Sequence, residues 1–284
     1  MIAVTGANGN LGRLVIKSLL ERLPADQIIA AVRSPEKADD LLALGLTVRE
    51  ADYTRPETLL NAFYGVEKVL LISAVVPGQR LSQHKAVVDA AREAGVGQIA
   101  YTSMLRADTS DLILAEEHKA TEEYIAASGL PFTFLRNAWY LENHTGGLAS
   151  AIQHGAIAGC AGQGRFASAS RADYAGAAVT VLTEPGHENK TYELAGDTSY
   201  NMSEFAAEVS KQVGREIVYN NLASSDYRTA LLGFGLPEMI VEVVVDADIK
   251  SSSGGLNSSS SDLRRLLGRP TTSFGEAIEA ALKN

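Results

Sequence analysis

The chain has 284 residues and a single cysteine, so it is long enough to bury a substantial core, and an internal disulfide or a multi-cysteine zinc site is excluded. Its 25 Lys and Arg against 34 Asp and Glu give a formal charge of -9, which argues against nucleic acid or an anionic membrane as a partner. We expect a cytoplasmic protein, because no apolar run approaches the roughly 20 residues that cross a bilayer and the start shows no basic leader.

The first twelve residues combine a short strand, a glycine-rich turn and a helix start. Residues 2–4 are an apolar run typical of a buried strand, and apolar residues recur at helical spacing from Leu11 onwards. The spacing between them is Gly6-x-x-Gly9-x-x-Gly12, which differs from the commonest dinucleotide fingerprint. We predict that Gly6 forms the tight turn, that Gly9 lets the backbone approach a pyrophosphate, and that Gly12 allows close contact of helix with sheet. The alternative is a glycine turn in another kind of α/β protein.

Apolar runs alternate with amphipathic stretches through the first half of the chain. This rhythm predicts βαβ units and hence a fold of the α/β class, a Rossmann-like doubly wound parallel sheet. The rhythm becomes less regular later, so we predict a dinucleotide-binding domain over 1–138 and a smaller C-terminal α/β substrate region over 139–284, with a soft boundary and some segments returning to the sheet. The expected strands after the first are 28–32, 46–51, 69–73, 99–103 and 132–135, followed by 190–194 and 216–219.

Helix starts and one loop can be predicted from local composition. Ser34 is expected to cap a helix that begins at Pro35, and further helices are expected to begin near Ser170 and Met202. Residues 251–261 are rich in Ser and Gly and contain little apolar surface, so we predict a mobile loop, with a lid as the alternative.

The residues after the second and third strands indicate the cofactor. The acidic residue expected about 20 positions beyond the glycine motif, which would bind a ribose 2′-hydroxyl, is absent, and Arg33 stands there. A guanidinium suits a 2′-phosphate, with Ser34 and Lys37 in support, so we predict NADPH; an ordinary surface arginine is the alternative. Asp52 either accepts a hydrogen bond from the adenine amino group or caps the helix that follows.

The acid pair of typical short-chain dehydrogenases is missing from its expected place. Tyr64-Gly-Val-Glu-Lys68 has the Tyr-x-x-x-Lys spacing, but a glycine interrupts it and Lys68 lies at the entrance to a strand, so we interpret it as a chance match. On the helix predicted over 112–128, no tyrosine lies four residues before His118. His118 is therefore either an acid or substrate contact, or part of a solvated helix face among glutamates.

This absence constrains the acceptor. Reduction of a simple ketone makes a strongly basic alkoxide that needs a placed acid, whereas reduction of a quinone makes a much less basic phenolate. After the sixth strand, Asn137, Trp139 and Tyr140 would bring amide and aromatic groups beside a nicotinamide ring and a flat substrate, unless the aromatic rings belong to the core.

Together with further motifs, these residues make the chain resemble the NmrA-like branch of the atypical short-chain dehydrogenase/reductases. Within that branch it is similar to the bacterial type 2 NAD(P)H:quinone oxidoreductases, with triphenylmethane reductase as a near relative. The resemblance extends over nearly the whole chain. Its motifs are Thr5-Gly-Ala-Asn-Gly-Asn-Leu-Gly12, Val32-Arg33, Leu71-Ile-Ser73, Ala100-Tyr-Thr-Ser103, Glu117-His118, Leu135-Arg-Asn137, Trp139-Tyr140, Glu142-Asn143 and Ser170-Arg-Ala-Asp173.

The resemblance implies an enzyme without flavin or metal in which NADPH passes hydride directly to a quinone, giving the hydroquinone. It implies quinone contacts from the loops 74–80 and 104–113, catalytic roles for Asn137, Tyr140 and His118, and it allows a homodimer. The cofactor residues that it implies, besides Asp52, are Gly6, Ala7, Asn8, Gly9, Asn10 and Leu11 for the pyrophosphate, Arg33 for the 2′-phosphate, Ser73, Ala74, Val75 and Ser103 for the central region, and Asn137, Ala138, Trp139 and Tyr140 for the nicotinamide.

Two other functions fit the same glycine motif. One is an NADP-binding redox sensor that regulates another protein without turnover. The other is a reductase of a different planar acceptor, such as a triphenylmethane dye.

Overall fold

The computed structural model describes residues 1–76 and 78–283, and Pro77, in the predicted loop 74–80, lies outside the described residues. The chain divides into two compact units. The first comprises Met1–Ala107, Glu116–Asn137 and Arg171–Glu193, and the second comprises Asp108–Ala115, Ala138–Ser170 and the chain from Leu194 onwards. The functional division that we predicted between 1–138 and 139–284 stays a prediction.

The strands and helices follow in a βαβ rhythm up to Asn137. The strands are β1 (Ile2–Thr5), β2 (Ile28–Val32), β3 (Thr47–Glu50), β4 (Lys68–Leu71), β5 (Gln98–Met104), β6 (Phe132–Asn137), β7 (Ala156–Gly159), β8 (Lys190–Leu194) and β9 (Val218–Asn221). The helices are α1 (Asn10–Leu20), α2 (Asp39–Ala43), α3 (Pro56–Phe63), α4 (Arg80–Glu93), α5 (Ala115–Ala127), α6 (Leu141–Thr145), α7 (Leu148–His154), α8 (Arg171–Thr183), α9 (Met202–Val213), α10 (Ser224–Gly233), α11 (Glu238–Ser252), α12 (Asp262–Leu267) and α13 (Phe274–Leu282).

The first unit is built on a seven-stranded sheet in the order β3-β2-β1-β4-β5-β6-β8. The pairs from β3 to β6 are parallel, and Ile2 of β1 lies opposite Ile28 on one side and Lys68 on the other. The chain order reverses between β1 and β4, which is where open α/β sheets bind ligands at the carboxyl ends of their strands. The predicted Rossmann-like, doubly wound α/β fold is confirmed.

The central strands are apolar on both faces because helices cover both. Side chains alternate between the faces of a strand, and Ala3, Ile29 and Val69 pack in one core cluster with Leu59 of α3 and Val87 of α4. On the other face α1 packs against α8, and α8 contacts β4, β5 and β6. This double coverage explains why the buried strands read as continuous apolar runs in the sequence.

Several predicted boundaries differ from the structure by one to three residues, and β7 was not predicted. The ninth strand was expected at 216–219 but is Val218–Asn221, because its pairing with β7 begins with Val218 opposite Ala156. Ser34 does precede a helical turn, but that turn is a short 3-10 helix over Pro35–Lys37, and the Ser34 side chain makes no capping hydrogen bond. The predicted helix starts near Ser170 and Met202 are confirmed by α8 and α9.

The second unit contains the parallel pair β7–β9 and a buried aromatic cluster. His144 lies at its centre, with Phe166, Tyr200 and Phe205 within 6 Å between ring centroids. The His144 Nδ1 atom is 2.7 Å from the Tyr200 hydroxyl. Burial lowers the pKa of His144 to about 4, so this imidazole is neutral at pH 7.

The Ser-rich stretch 251–261 is held more firmly than we predicted. Ser251 and Ser252 are the last two residues of α11, and Ser251 is buried. Leu256 is also buried, and its carbonyl oxygen accepts a 2.9 Å hydrogen bond from the Ala167 N–H. The prediction of a loop is therefore wrong for Ser251 and Ser252, and the buried Leu256 anchors the rest of the stretch.

No helix in the described part of the chain has the length and apolar character needed to span a bilayer. Among the same residues, no group of three or more His, Cys, Asp and Glu side chains is arranged to hold a metal ion.

Candidate functional site

The glycine motif forms a tight turn between β1 and α1. Gly6 has a φ of +57°, a conformation that side chains disfavour, and its carbonyl oxygen accepts a 2.9 Å hydrogen bond from the Gly9 N–H. Gly9 is the N-cap residue of α1, and the first turn of this fully described helix carries no acidic side chain. The positive end of the α1 dipole therefore faces the turn without a carboxylate to neutralise it.

Gly12 leaves room for this turn to pack on the helix. A Cβ atom at Gly12 would lie 2.4 Å from the Gly6 oxygen and 2.7 Å from the Ala7 Cα atom. Gly12 was expected to make close contact with the sheet, whereas its contact is with the turn itself. A side chain at this position would displace the backbone that is expected to hold the pyrophosphate.

Asn8 connects the glycine turn to the segment after β2. Its side-chain amide donates a 2.9 Å hydrogen bond to the Lys37 carbonyl oxygen, and its side-chain oxygen accepts a hydrogen bond from Arg13. Arg13 also forms an ion pair with Asp40 at the start of α2, and this lowers the pKa of the Asp40 carboxyl. Sequence reasoning missed Arg13 and Asp40, because an arginine in the first turn of a helix carries no specific signal.

Arg33 follows β2 and is exposed. Among the described residues, no hydrogen bond or ion pair engages its guanidinium. Lys37 is exposed in the same segment. Two cations thus stand at the carboxyl end of β2, next to the glycine turn.

Asp52 follows β3 and lies close enough to Arg33 for their charges to interact. Burial tends to raise its pKa, but hydrogen bonds from Thr54 and the charge of Arg33 outweigh it and lower the pKa. The Asp52 Oδ1 atom accepts hydrogen bonds of 2.9 Å from the Thr54 N–H and 2.7 Å from the Thr54 hydroxyl. The N-cap residue of α3 is Arg55, so the helix-cap alternative for Asp52 is wrong.

Two serines lie at the carboxyl ends of the neighbouring strands β4 and β5. Ser73 follows β4, and Ser103 is the last residue but one of β5. The Ser73 N–H donates a 2.9 Å hydrogen bond to the Thr102 hydroxyl. The Ser103 hydroxyl is buried, and within the described chain it has no hydrogen-bond partner. A buried hydroxyl without a partner at the switch point of the sheet is a group that a ligand can satisfy.

His118 is buried, which corrects the alternative of a solvated helix face. Its Nδ1 atom is 2.7 Å from the Tyr101 hydroxyl, which comes from the adjacent strand β5. Burial, together with the charge of Arg80, lowers the pKa of His118 well below its usual value. The imidazole is therefore neutral at pH 7 and cannot serve as an imidazolium acid.

Asn137 ends β6 and is buried, and its carbonyl oxygen accepts a 2.9 Å hydrogen bond from the Leu105 N–H. Ala138 is buried, whereas Trp139 and Tyr140 are partly exposed. Tyr140 is the N-cap residue of α6. The first unit thus carries Asn137 at the same end of the sheet as the glycine turn, and the second unit carries the three residues that follow.

The Tyr64/Lys68 pair does not lie on a helix. Tyr64 comes just after α3 and is 80% exposed, and Lys68 is the first residue of β4. Lys68 therefore lies at the amino end of its strand, opposite the end that carries the glycine turn. The interpretation of this pair as a chance match is supported by its position.

These features define a dinucleotide-binding protein of the doubly wound α/β class, with a glycine turn at the switch point and cations after the second strand. The chain belongs to the NAD(P)H-binding family, whose pattern matches residues 6–185. It is 50% identical over 278 residues, 98% of this chain and 97% of the relative, to quinone oxidoreductase 2 of Escherichia coli (strain K12).

Solved structures of similar proteins agree with this assignment. The crystal structure of an Escherichia coli NADPH-dependent quinone oxidoreductase complexed with NADPH matches with a TM-score of 0.97 and 50% identity, covering 100% of both chains. A structure of Citrobacter sp. triphenylmethane reductase matches with a TM-score of 0.95 and 42% identity, covering 100% of this chain and 99% of the other. The resemblance found from the sequence motifs is confirmed.

Proposed function

We propose that this chain is an NADPH-dependent quinone oxidoreductase that works without flavin. The observation that carries the proposal is the 50% identity to a quinone oxidoreductase, since it extends over 98% of the chain and so includes both compact units. The exposed Arg33 after β2 supports NADPH over NADH, because a guanidinium favours a 2′-phosphate.

The residues of the first unit fit such a cofactor. The turn at Gly6 and Gly12 is a cradle that a Cβ atom would fill, and the Ser103 hydroxyl is a buried group that needs a partner. When bound, NADPH supplies a hydride. The residues of this unit that we propose to hold it are Gly6, Ala7, Asn8, Gly9, Asn10, Leu11, Arg33, Asp52, Ser73, Ala74, Val75, Ser103 and Asn137. The contacts expected from Ala138, Trp139 and Tyr140, which belong to the second unit, stay predictions.

The chain's own residues orient the acceptor. They do not have to donate a proton to it from an imidazolium or another protonated side chain. His118 is neutral, because burial and Arg80 lower its pKa, so it can only donate or accept a hydrogen bond. A quinone suits this, since one hydride and one proton convert it to the hydroquinone and water can supply the proton to a weakly basic phenolate. We propose that Asn137 orients the nicotinamide ring and that His118 contacts an acceptor oxygen. The catalytic role expected for Tyr140, in the second unit, stays a prediction. The cytoplasmic location and the homodimer stay predictions.

The proposal is tested by steady-state oxidation of NADPH with and without benzoquinone, using protein shown by its absorbance spectrum to contain no flavin. We expect quinone-dependent turnover and none with a series of simple aliphatic ketones. The double variant Tyr64→Phe/Lys68→Met serves as a control and should retain quinone turnover, because both residues lie away from the glycine turn. Ketone reduction that disappears in the double variant would overturn the mechanism.

A second acceptor class is favoured by the 42% identity to triphenylmethane reductase. The cation of a triphenylmethane dye has a trigonal planar central carbon conjugated with its rings, and it becomes neutral when that carbon gains a hydride, so it needs no proton at all. The same assay with a triphenylmethane dye measures this activity. NADPH binding without oxidation by any quinone or dye would instead support the redox sensor.

A further inference from the structure

Four side chains from α4 and α5 form a hydrogen-bonded clamp on the chain that leaves β4. Arg80 and His84 are one turn apart on α4, and Glu117 and Thr121 are one turn apart on α5, so each pair shares a helix face. Arg80, His84 and Thr121 are buried. We call these four residues the α4–α5 clamp. Spacings of four are too common in helices for the sequence alone to indicate it.

The first half of the clamp is the Arg80–Glu117 ion pair. The Arg80 Nη1 atom donates a 2.8 Å hydrogen bond to Glu117 Oε2, and Arg80 Nε donates 3.0 Å hydrogen bonds to the Ser73 hydroxyl and the Ala74 carbonyl oxygen. The other carboxylate oxygen of Glu117 accepts hydrogen bonds from the N–H groups of Gly78, at 3.0 Å, and Arg80, at 3.2 Å. One ion pair therefore ties down both ends of the segment from Ser73 to Arg80.

The second half of the clamp is His84. Its Nε2 atom accepts a 2.9 Å hydrogen bond from the Ala74 N–H, so the ring proton must be on Nδ1. The Nδ1–H then donates to the Thr121 hydroxyl at 3.0 Å, which donates to the Glu117 carbonyl oxygen at 2.8 Å. Burial and the nearby Arg80 lower the pKa of His84 to about 3, which keeps this arrangement neutral at pH 7.

The clamp acts on a segment with little support of its own. The described residues that follow β4 belong to no strand or helix until α4 begins at Arg80. Val75 is 82% exposed and Val76 is 41% exposed, so core packing does not hold them. The backbone groups of Ala74 are bonded to side chains of the clamp instead. This segment leaves the sheet at β4, the strand next to β1 at the switch point.

We propose that Arg80, His84 and Glu117 are positioning residues that hold Ser73 and Ala74 at the central region of the cofactor site, between the adenosine end and the nicotinamide. The proposal rests on the proposed function. It gives a role to three polar side chains, two of them buried, that have no place in binding the adenosine end, which is assigned to Arg33 and Asp52. Loss of the clamp should therefore affect the reacting end of NADPH and leave the other end unchanged.

The test compares His84→Leu with His84→Gln in the full chain. Leucine removes the acceptor for the Ala74 N–H, whereas the glutamine side-chain oxygen can replace it. We expect kcat with benzoquinone to fall about tenfold or more in His84→Leu, because small displacements of a reacting group have effects of this size. The primary isotope effect with deuterated NADPH should rise. The affinity for 2′,5′-ADP, which contains only the adenosine end, should stay unchanged, and His84→Gln should recover most of the lost kcat.

A second variant avoids leaving a buried charge without its partner. Arg80→Met combined with Glu117→Leu removes both charges together, and we expect it to fold and to show the same loss of kcat with normal 2′,5′-ADP affinity. The matched control is Tyr124→Phe, which removes the 2.9 Å hydrogen bond from α5 to Asp89 of α4 and should leave kcat unchanged. Asp89 lies about 13 Å along α4 from Arg80.

Two results would overturn the clamp proposal. One is an unchanged kcat in His84→Leu. The other is an equal loss of kcat and of 2′,5′-ADP affinity with a lowered Tm, which would make the clamp a general stabiliser of the fold. If no quinone tested leads the unmutated protein to oxidise NADPH, the proposed function fails. The clamp proposal is then tested by measuring binding. His84→Leu should then weaken NADPH several-fold and leave 2′,5′-ADP unchanged, and equal effects on both ligands would refute it.

Discussion

Replacement of Gly12 by alanine should damage the cofactor site through the backbone alone. The new Cβ atom would lie 2.4 Å from the Gly6 oxygen, 2.7 Å from the Ala7 Cα atom and 2.9 Å from the Ala7 carbonyl carbon. Ordinary contacts between such atoms are about 3.5 Å, so the turn must move away from α1 by roughly 1 Å. All three atoms belong to the backbone, so no flexible side chain can give way instead.

The expected magnitude follows from this displacement. Overpacking of a well-packed site destabilises by about 1–3 kcal/mol, which urea unfolding measures. The movement also disturbs the 2.9 Å hydrogen bond from the Gly9 N–H to the Gly6 oxygen, and with it the N–H groups at the start of α1. We expect NADPH affinity, measured by calorimetry, to fall more than about tenfold, which corresponds to about 1.4 kcal/mol of binding free energy.

Two further glycine variants make the experiment specific. Gly9→Ala should lower the free energy of unfolding less than Gly12→Ala, because its Cβ atom would lie 3.2 Å from the Gly6 oxygen. Gly233→Ala is the control, since nothing lies within 4 Å of its Cβ position in α10, and alanine there should stabilise by up to about 1 kcal/mol. Gly12→Ala protein that unfolds at the same urea concentration as the unmutated chain and binds NADPH equally well would refute the reasoning.

Four other predictions concern the cofactor end, the catalytic end and the buried polar groups. Arg33→Ala should remove most of an approximately tenfold or greater preference for NADPH over NADH, because a charge-assisted contact is worth about 1.5–3 kcal/mol; equal affinities in the unmutated protein, measured by calorimetry, would contradict this. Asn137→Ala should lower kcat more than NADPH affinity, and a variant that keeps its kcat and loses only stability would make Asn137 a structural residue. Glu122→Leu should destabilise by about 1–3 kcal/mol in urea, because the buried Arg136 loses its 3.0 and 2.7 Å hydrogen bonds to Glu122 and keeps its ion pair with Glu193; an unchanged midpoint would show that water reaches the site. Stability should fall as the pH drops from about 6.5 toward 4, because burial lowers the pKa of His144 to about 4 and the unfolded chain binds the proton first. His144 contributes up to about 1.4 kcal/mol per pH unit, and His84 and His118, whose pKa values burial also lowers, add to the slope; His144→Gln should reduce the slope by its own share in urea titrations, and an identical slope would exclude His144 as a source.

The cofactor half of the site was predictable because its signals are local. The turn at Gly6 and Gly12 needs residues without side chains, and the requirement is met within seven positions of the chain. The second strand was predicted at 28–32 and is Ile28–Val32, because a strand buried on both faces must be apolar throughout. Arg33 followed directly from that boundary, since the residue after a parallel strand lies at the ligand-binding edge.

The other half depended on contacts between residues far apart in the chain. The stretch around His118 is rich in glutamates and looks like a solvated helix face, yet His118 is buried against the Tyr101 hydroxyl. Glu117 and Glu122 on the same helix are not solvent-facing charges either, because Arg80 and Arg136 pair with them. From the sequence alone, a charged residue is predicted to be exposed unless its partner is known. Only the tertiary structure brings these partners together.

The amino-acid sequence by itself therefore determined the alternation of strands and helices, the glycine turn and the place of Arg33 after the second strand, because backbone conformation and strand burial act over a few neighbouring residues. The tertiary structure alone decided which polar side chains are buried, and so it revealed the α4–α5 clamp, because desolvation of a charge is tolerated only where the packing of distant elements supplies its partner.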